Sequence, residues 1–165
     1  MAKILYYGGQ KSGKSLLAER KILELSRPNI PCYIATYDNI YGDEEMQERI
    51  IQHQSQRVGL FNTIEERFDI LGVIKDDGYY IIDCISMWIL NSMEMSIEEL
   101  LVYLNVVSRS EATIVFVLND VNSGIIPIDS ISREYVDRSG ILGQKLASFC
   151  DEVYEVKLGI TIRIK

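Results

Sequence analysis

Histidine and cysteine are scarce in this chain, and the scarcity excludes several kinds of protein. One histidine and three cysteines, with no Cys-x-x-Cys pair, leave no zinc framework to build. Cys32, Cys84 and Cys150 are odd in number and each lies in or beside an apolar segment, the pattern of buried free thiols rather than of a disulfide scaffold. Long hydrophobic runs are missing too, and the first strand begins at the third residue. Neither a membrane span nor a signal peptide is therefore expected, and the cytoplasm is the expected compartment. Positive charge is in deficit: 17 Lys and Arg against 24 Asp and Glu leave a net charge of −7, which argues against broad nucleic-acid binding. Low-complexity tracts and internal repeats are absent. What remains, 47% hydrophobic and 25% charged residues over 165 positions, is expected to form one globular domain spanning residues 1–165 around a full core.

Short apolar runs alternate with amphipathic segments along the chain, which predicts an α/β protein with a mostly parallel sheet covered by helices. Strands are expected at 3–7, 32–36, 61–64, 79–83, 113–118, 152–156 and 160–164, and helices at 14–25, 43–57, 68–75, 96–108 and 130–149. Lys157-Leu158-Gly159 sits between two apolar alternations and reads as a hairpin turn, giving the sheet an antiparallel C-terminal edge.

The residues Gly8, Gly9, Gln10, Lys11, Ser12, Gly13, Lys14 and Ser15 follow an apolar run and precede a helix-like stretch, so the pattern G-x-x-x-x-G-K-S stands in the setting a phosphate-binding loop requires. Gly8 and Gly13 let the backbone turn tightly and aim its N–H groups at phosphate oxygens. Lys14 adds positive charge for the β- and γ-phosphates. Ser15 offers a hydroxyl to Mg²⁺, while the new helix presents its positive end to the anion. A glycine-rich turn without ligand is the alternative.

In open sheets of this class the ligand lies at the carboxyl ends of the strands. Those positions carry Thr36-Tyr37-Asp38, Asp83-Cys84-Ile85-Ser86 and Asn119-Asp120-Val121-Asn122. Asp83 ends a strand as a metal-holding acid opposite Ser15 would; capping the segment that follows is the other reading. Asp120 and Asp38 are candidates to activate an acceptor hydroxyl, a task that metal and orientation can also perform. Helical spacing sets Arg49, His53 and Arg57 on one face, an imidazole flanked by guanidinium groups, which suits phosphates. A neutral imidazole there can attack an activated phosphate, although a lone histidine can also be incidental to function.

The phosphate loop with Ala18-Glu19, the strand end Tyr33-Ile34-Ala35-Thr36, Glu45-Met46 with Arg49-Ile50, and His53 with Arg57 occur in an order that resembles one family, the bifunctional adenosylcobinamide kinase and adenosylcobinamide-phosphate guanylyltransferase of cobalamin biosynthesis. Thr63-Ile64-Glu65, Asp83 to Trp88 with Asn91, Gly124-Ile125-Ile126-Pro127, Asp137 with Gly140, Gln144, Asp151-Glu152-Val153 and the closing Gly159 to Lys165 extend the likeness over essentially the whole chain. The family pattern is departed from at Val58 to Phe61, Asp120, Asn122, Val136 and Gly143.

The resemblance implies a P-loop NTPase (RecA-like) three-layer fold and two reactions. In one, ATP or GTP phosphorylates the aminopropanol hydroxyl of adenosylcobinamide; in the other, a histidine matching His53 takes GMP from GTP and passes it to adenosylcobinamide phosphate. It further implies that Gly8 to Ser15, Thr36, Tyr37, Gln54, Arg57, Glu65 and Asp83 line the nucleotide site, that His53 and Lys14 are catalytic, that Ser15 and Asp83 hold Mg²⁺, and that the chain forms a homotrimer. Its partners would be a corrinoid and a nucleotide. The competing readings are a P-loop small-molecule kinase without covalent chemistry and a nucleotide-binding regulatory or assembly protein.

Overall fold

The computed structural model describes residues 1–37 and 57–165. Their elements run β1 (Lys3–Gly8), α1 (Lys14–Leu25), β2 (Cys32–Ala35), β3 (Asn62–Glu65), α2 (Ile70–Val73), β4 (Tyr79–Asp83), α3 (Ile85–Asn91), α4 (Ile97–Arg109), β5 (Thr113–Asn119), α5 (Ser130–Phe149), β6 (Glu152–Lys157) and β7 (Ile160–Arg163). The strands form one seven-stranded sheet in the order β3-β2-β4-β5-β1-β6-β7. Every pairing is parallel except that of β6 with β7.

Side chains alternate across a strand, and β5, buried along almost its whole length, shows what this does to the core. Ile114, Phe116 and Leu118 join one buried cluster with Ile85, Trp88 and Ile89 of α3, Leu100, Leu104 and Val107 of α4, and Leu142 and Leu146 of α5. Val115 and Val117 join the other, with Ala18 and Ile22 of α1. Helices thus lie on both faces. Each aliphatic side chain so enclosed stabilises the fold by roughly 1.5–3 kcal/mol relative to exposure.

The expected strands all form, each within a residue or two of its predicted ends. Three helices also match, and α4 starts on a full capping box, with Ser96 accepting from Glu99 N and Glu99 accepting from Ser96 N. Two regions differ. The helix expected at 68–75 shortens to the single turn of α2, because Asp69 caps it at once, Gly72 sits inside it, and the chain is extended again at Ile74. The segment Ile85–Asn91, which none of the expected strands and helices covers, forms the helix α3, N-capped by Cys84 without a side-chain bond rather than by Asp83; its apolar sequence has no polar face to announce a helix because Ile85, Ser86, Trp88 and Ile89 are all buried. The helix expected at 43–57 lies, but for Arg57, outside the described residues.

Candidate functional site

Residues 8–15 connect β1 to α1 as a tight loop at the carboxyl edge of the sheet. Gly8 can only be glycine: a Cβ there would stand 2.3 Å from the Val156 carbonyl oxygen on β6. Gly13 has φ +95°, in the left-handed region, and N-caps α1 without a side chain. Ser12 N donates to Gly9 O at 3.2 Å and closes the turn. Lys14 is 6% exposed, and its Nζ donates to Gly9 O at 3.1 Å. An ammonium carries three N–H donors, and this bond uses one of them. Burial pushes the Lys14 amine below its ordinary pKa, and the Asp83 carboxylate works against that push. Ser15, half-buried, follows in the first turn of α1, while Gln10 and Lys11 are exposed on the loop's crest.

Asp83 ends β4, paired in register with Ala35 at the end of β2. Its Oδ2 accepts from the Tyr33 hydroxyl at 2.6 Å. Tyr33 lies two residues before Ala35 and hence on the same face of the sheet, the one covered by α1. Burial and the Asp83 carboxylate push the Tyr33 phenol well above its ordinary pKa, so it remains a donor. Above its ring lies the Arg57 guanidinium, 3.6 Å from the centroid, with Nε donating to Glu19 Oε1 at 3.0 Å. Arg57, expected to border the site, is therefore bonded to α1 and stacked on β2, and 9% exposed.

Thr36 is fully buried, with its hydroxyl donating to Cys84 O at 2.7 Å and accepting from Cys84 N at 2.9 Å. It clamps the ends of β2 and β4 together across the cis Asp83–Cys84 peptide. Asn91 of α3 adds a bond to Thr36 O at 2.8 Å. Tyr37 is half-buried just after β2, and Glu65 ends β3 on the surface. Asp120, a candidate base, accepts from the backbone N–H groups of Asn122 and Ser123 and from the Tyr7 hydroxyl. Burial raises its pKa, but these donors outweigh that and leave the carboxyl below its ordinary value, the wrong direction for a base. The Cys84 thiol, beside Lys14, is pushed up to about 12 by burial and by Asp83, and is no nucleophile. His53, Gln54, Arg49 and Asp38 lie outside the described residues.

Sequence reasoning missed the part Tyr33 plays. Its signal was available: a tyrosine two positions before the end of a strand whose neighbour ends in an acid shares that acid's face. It also left open where two apolar stretches lie. Trp88 and Ile89 are at 1% and 0% exposure, whereas Ile125 and Ile126 stand at 97% and 78%. Among the described residues no three His, Cys, Asp or Glu side chains gather as a metal cluster, and no helix is long and apolar enough to cross a membrane.

A glycine-rich β1–loop–α1 turn with a buried lysine, in a parallel sheet whose strand β4 ends in a carboxylate close enough to act on that lysine's charge, is an arrangement suited to phosphate groups. The family model of cobinamide kinase / cobinamide phosphate guanyltransferase matches residues 4–164. The chain belongs to that family. It is therefore a transferase of the P-loop NTPase-like class, in a family of adenosylcobalamin biosynthesis. The bifunctional adenosylcobalamin biosynthesis protein CobP of Pseudomonas aeruginosa is 30% identical to it, over 98% of this chain and 96% of that one. CobU of Salmonella typhimurium, which carries the same description, is 32% identical over 98% of this chain and 99% of its own. A solved structure of a Pyrococcus horikoshii OT3 protein shares the fold, with a TM-score of 0.51 and 12% identity over 99% of this chain and 86% of that one.

Proposed function

We propose that the chain phosphorylates adenosylcobinamide with ATP or GTP and then transfers GMP from GTP to adenosylcobinamide phosphate, yielding adenosylcobinamide-GDP. The observation that carries this reading is the pairing of the phosphate cradle with Asp83: Lys14, buried at the mouth of the loop, is electrostatically coupled to the carboxylate that Tyr33 holds at the end of β4. In the kinase step the amides of Gly8 to Ser15 and the Lys14 ammonium bind and orient the triphosphate. The acceptor hydroxyl oxygen bonds to the γ-phosphorus as the bridging oxygen leaves with the nucleoside diphosphate, and the hydroxyl proton passes to solvent. In the guanylyl step a ring nitrogen of His53 bonds to the α-phosphorus of GTP and pyrophosphate departs. The phosphate oxygen of the acceptor then displaces the histidine and takes the GMP.

Thr36, Tyr37, Gln54, Arg57 and Glu65 complete the nucleotide site in this reading. The Ser15 hydroxyl and the Asp83 carboxylate suit Mg²⁺, a hard cation that binds to one or two protein oxygens and takes its remaining ligands from phosphates and water. When bound, Mg²⁺ supplies neutralisation of phosphate charge. We further read residues 1–165 as one domain that assembles as a cytoplasmic homotrimer, a reading supported by the exposure of Ile125, Ile126, Ile128 and Ile131.

The test is incubation with Mg²⁺ and GTP labelled at the α-phosphate, comparing the parent with His53→Ala. Acid-labile covalent label on the parent alone is expected. Label on neither protein would overturn the covalent step and leave a kinase or a nucleotide-binding regulator.

A further inference from the structure

Four carbonyls of the 8–15 loop have identified donors, and one donor comes from the far end of the chain. Gly8 O accepts from Asp120 N at 2.8 Å, Gly9 O from Ser12 N and Lys14 Nζ, and Gly13 O from Leu17 N at 3.1 Å. Ser12 O accepts from Gly159 N at 2.9 Å. Gly159 occupies the two-residue turn between β6 and β7, where Lys157 pairs with Ile160 and both turn residues are left-handed, Leu158 at φ 53° and Gly159 at φ 76°. The turn lies directly on the loop, since a Cβ on Gly13 would stand 3.5 Å from Gly159 Cα.

A trans peptide unit carries its C=O and its N–H on opposite sides. The bond that draws the Ser12 carbonyl towards the hairpin therefore turns the Gly13 N–H of the same unit away from it. We propose that the Leu158–Gly159 turn is part of the nucleotide site and that Gly159 is a positioning residue. Its N–H, acting through the Ser12 carbonyl, holds the Gly13 amide aimed at the phosphates. This rests on the reading of residues 8–15 as a phosphate cradle.

The turn can be altered without opening the core, because every residue of β7 is exposed. A Cβ on Gly159 meets nothing within 4 Å, so a substitution there acts through φ and not through a clash. Valine resists a positive φ, whereas asparagine tolerates it. The experiment is calorimetric titration of the full chain with Mg·ATP and Mg·GTP, for the parent, Gly159→Val, Gly159→Asn and Lys14→Ala, alongside thermal unfolding without ligand. Loss of one hydrogen bond of ordinary net strength predicts about tenfold weaker binding by Gly159→Val, with Gly159→Asn restoring the parent's affinity. A purely structural role would move the unfolding midpoint and leave the affinity of the folded protein in place. Parent-like binding by Gly159→Val, with Lys14→Ala impaired, overturns the inference alone, and so does failure of asparagine to restore it. Parent-like binding by Lys14→Ala overturns the phosphate cradle itself and the inference with it. Should the valine variant not fold, Gly159→Ala carries the same misfit more mildly and is read in the same way.

Discussion

Replacing Tyr33 by phenylalanine removes one oxygen and leaves the packing alone, which makes it a sharp probe of how Asp83 is held. Tyr33 is 2% exposed, with the Arg57 guanidinium 3.6 Å above its ring and the edge of Phe61 at 5.6 Å, and phenylalanine keeps both contacts. What goes is the 2.6 Å bond to Asp83 Oδ2. A hydrogen bond to a charged group contributes about 1.5–3 kcal/mol, and the lower end applies here because half-buried Asp83 admits water to the vacated position. At roughly 2–4 °C per kcal/mol for a chain of this size, the unfolding midpoint should fall by about 3–6 °C in thermal circular dichroism at neutral pH. Tyr33→Ala loses the ring as well, a change costing about 3–5 kcal/mol, and should fall at least twice as far. A carboxylate without its donor is also less well oriented, so Tyr33→Phe should need more Mg²⁺ for the same nucleotide affinity. An unfolding midpoint and a metal dependence both equal to the parent's would refute the assignment of Tyr33 as the group that holds Asp83.

Two further outcomes follow from close packing and from buried titratable groups. Gly8→Ala sets a Cβ 2.3 Å from Val156 O, so β1 and β6 must part; the variant should lose about 1–3 kcal/mol in denaturant unfolding and bind nucleotide poorly, whereas Gly9→Ala, which meets nothing within 4 Å, should unfold like the parent. Burial pushes the thiols of Cys84 and Cys150 from 9.0 up to about 12, and the phenols of Tyr6 and Tyr135 from 10.0 up to about 12. The folded state thus holds protons that the unfolded chain releases earlier, so this stability is complete below pH 9 and drains away as pH rises towards 12. Thermal midpoints should decline from about pH 9 to about 11, and less steeply in Cys150→Ala; a flat profile would contradict the burial of these groups.

The sheet was legible because its signals are local and redundant. Each strand reads as an apolar run, and Gly8, Gly13, Lys14 and Ser15 announce a loop whose spacing only one backbone course accommodates. The Lys157-Leu158-Gly159 turn was legible for the same reason. What stayed hidden depends on partners distant in sequence. α3 is a helix by virtue of the core that encloses Trp88 and Ile89, not by any polar face of its own. The sequence places Thr36 at a strand end but does not show that its hydroxyl bonds to Cys84 on both its donor and acceptor sides, 48 residues on. Helical spacing sets Arg57 on a face suited to phosphates, and only the fold shows Glu19 and Tyr33 against it.

These partners also determine what kind of chemistry the described part of the site can support. Among the described residues, the groups able to move protons are occupied or mismatched: Asp120 accepts from Tyr7 and two loop amides, and the Cys84 thiol and Tyr33 phenol are held protonated by burial. Other groups are suited to electrostatic work. They are the loop amides, the buried Lys14 ammonium with donors to offer, and the Asp83 carboxylate fixed by one short bond. Arg57, buried against Tyr33, needs the Glu19 carboxylate to offset its charge, and that requirement fastens α1 to β2 behind the phosphate loop. The described part of the site is weak in acid–base catalysis and strong in positioning and charge stabilisation. Phosphoryl transfer through a loose transition state asks for the second and little of the first, and it is the chemistry proposed for the cradle at residues 8–15.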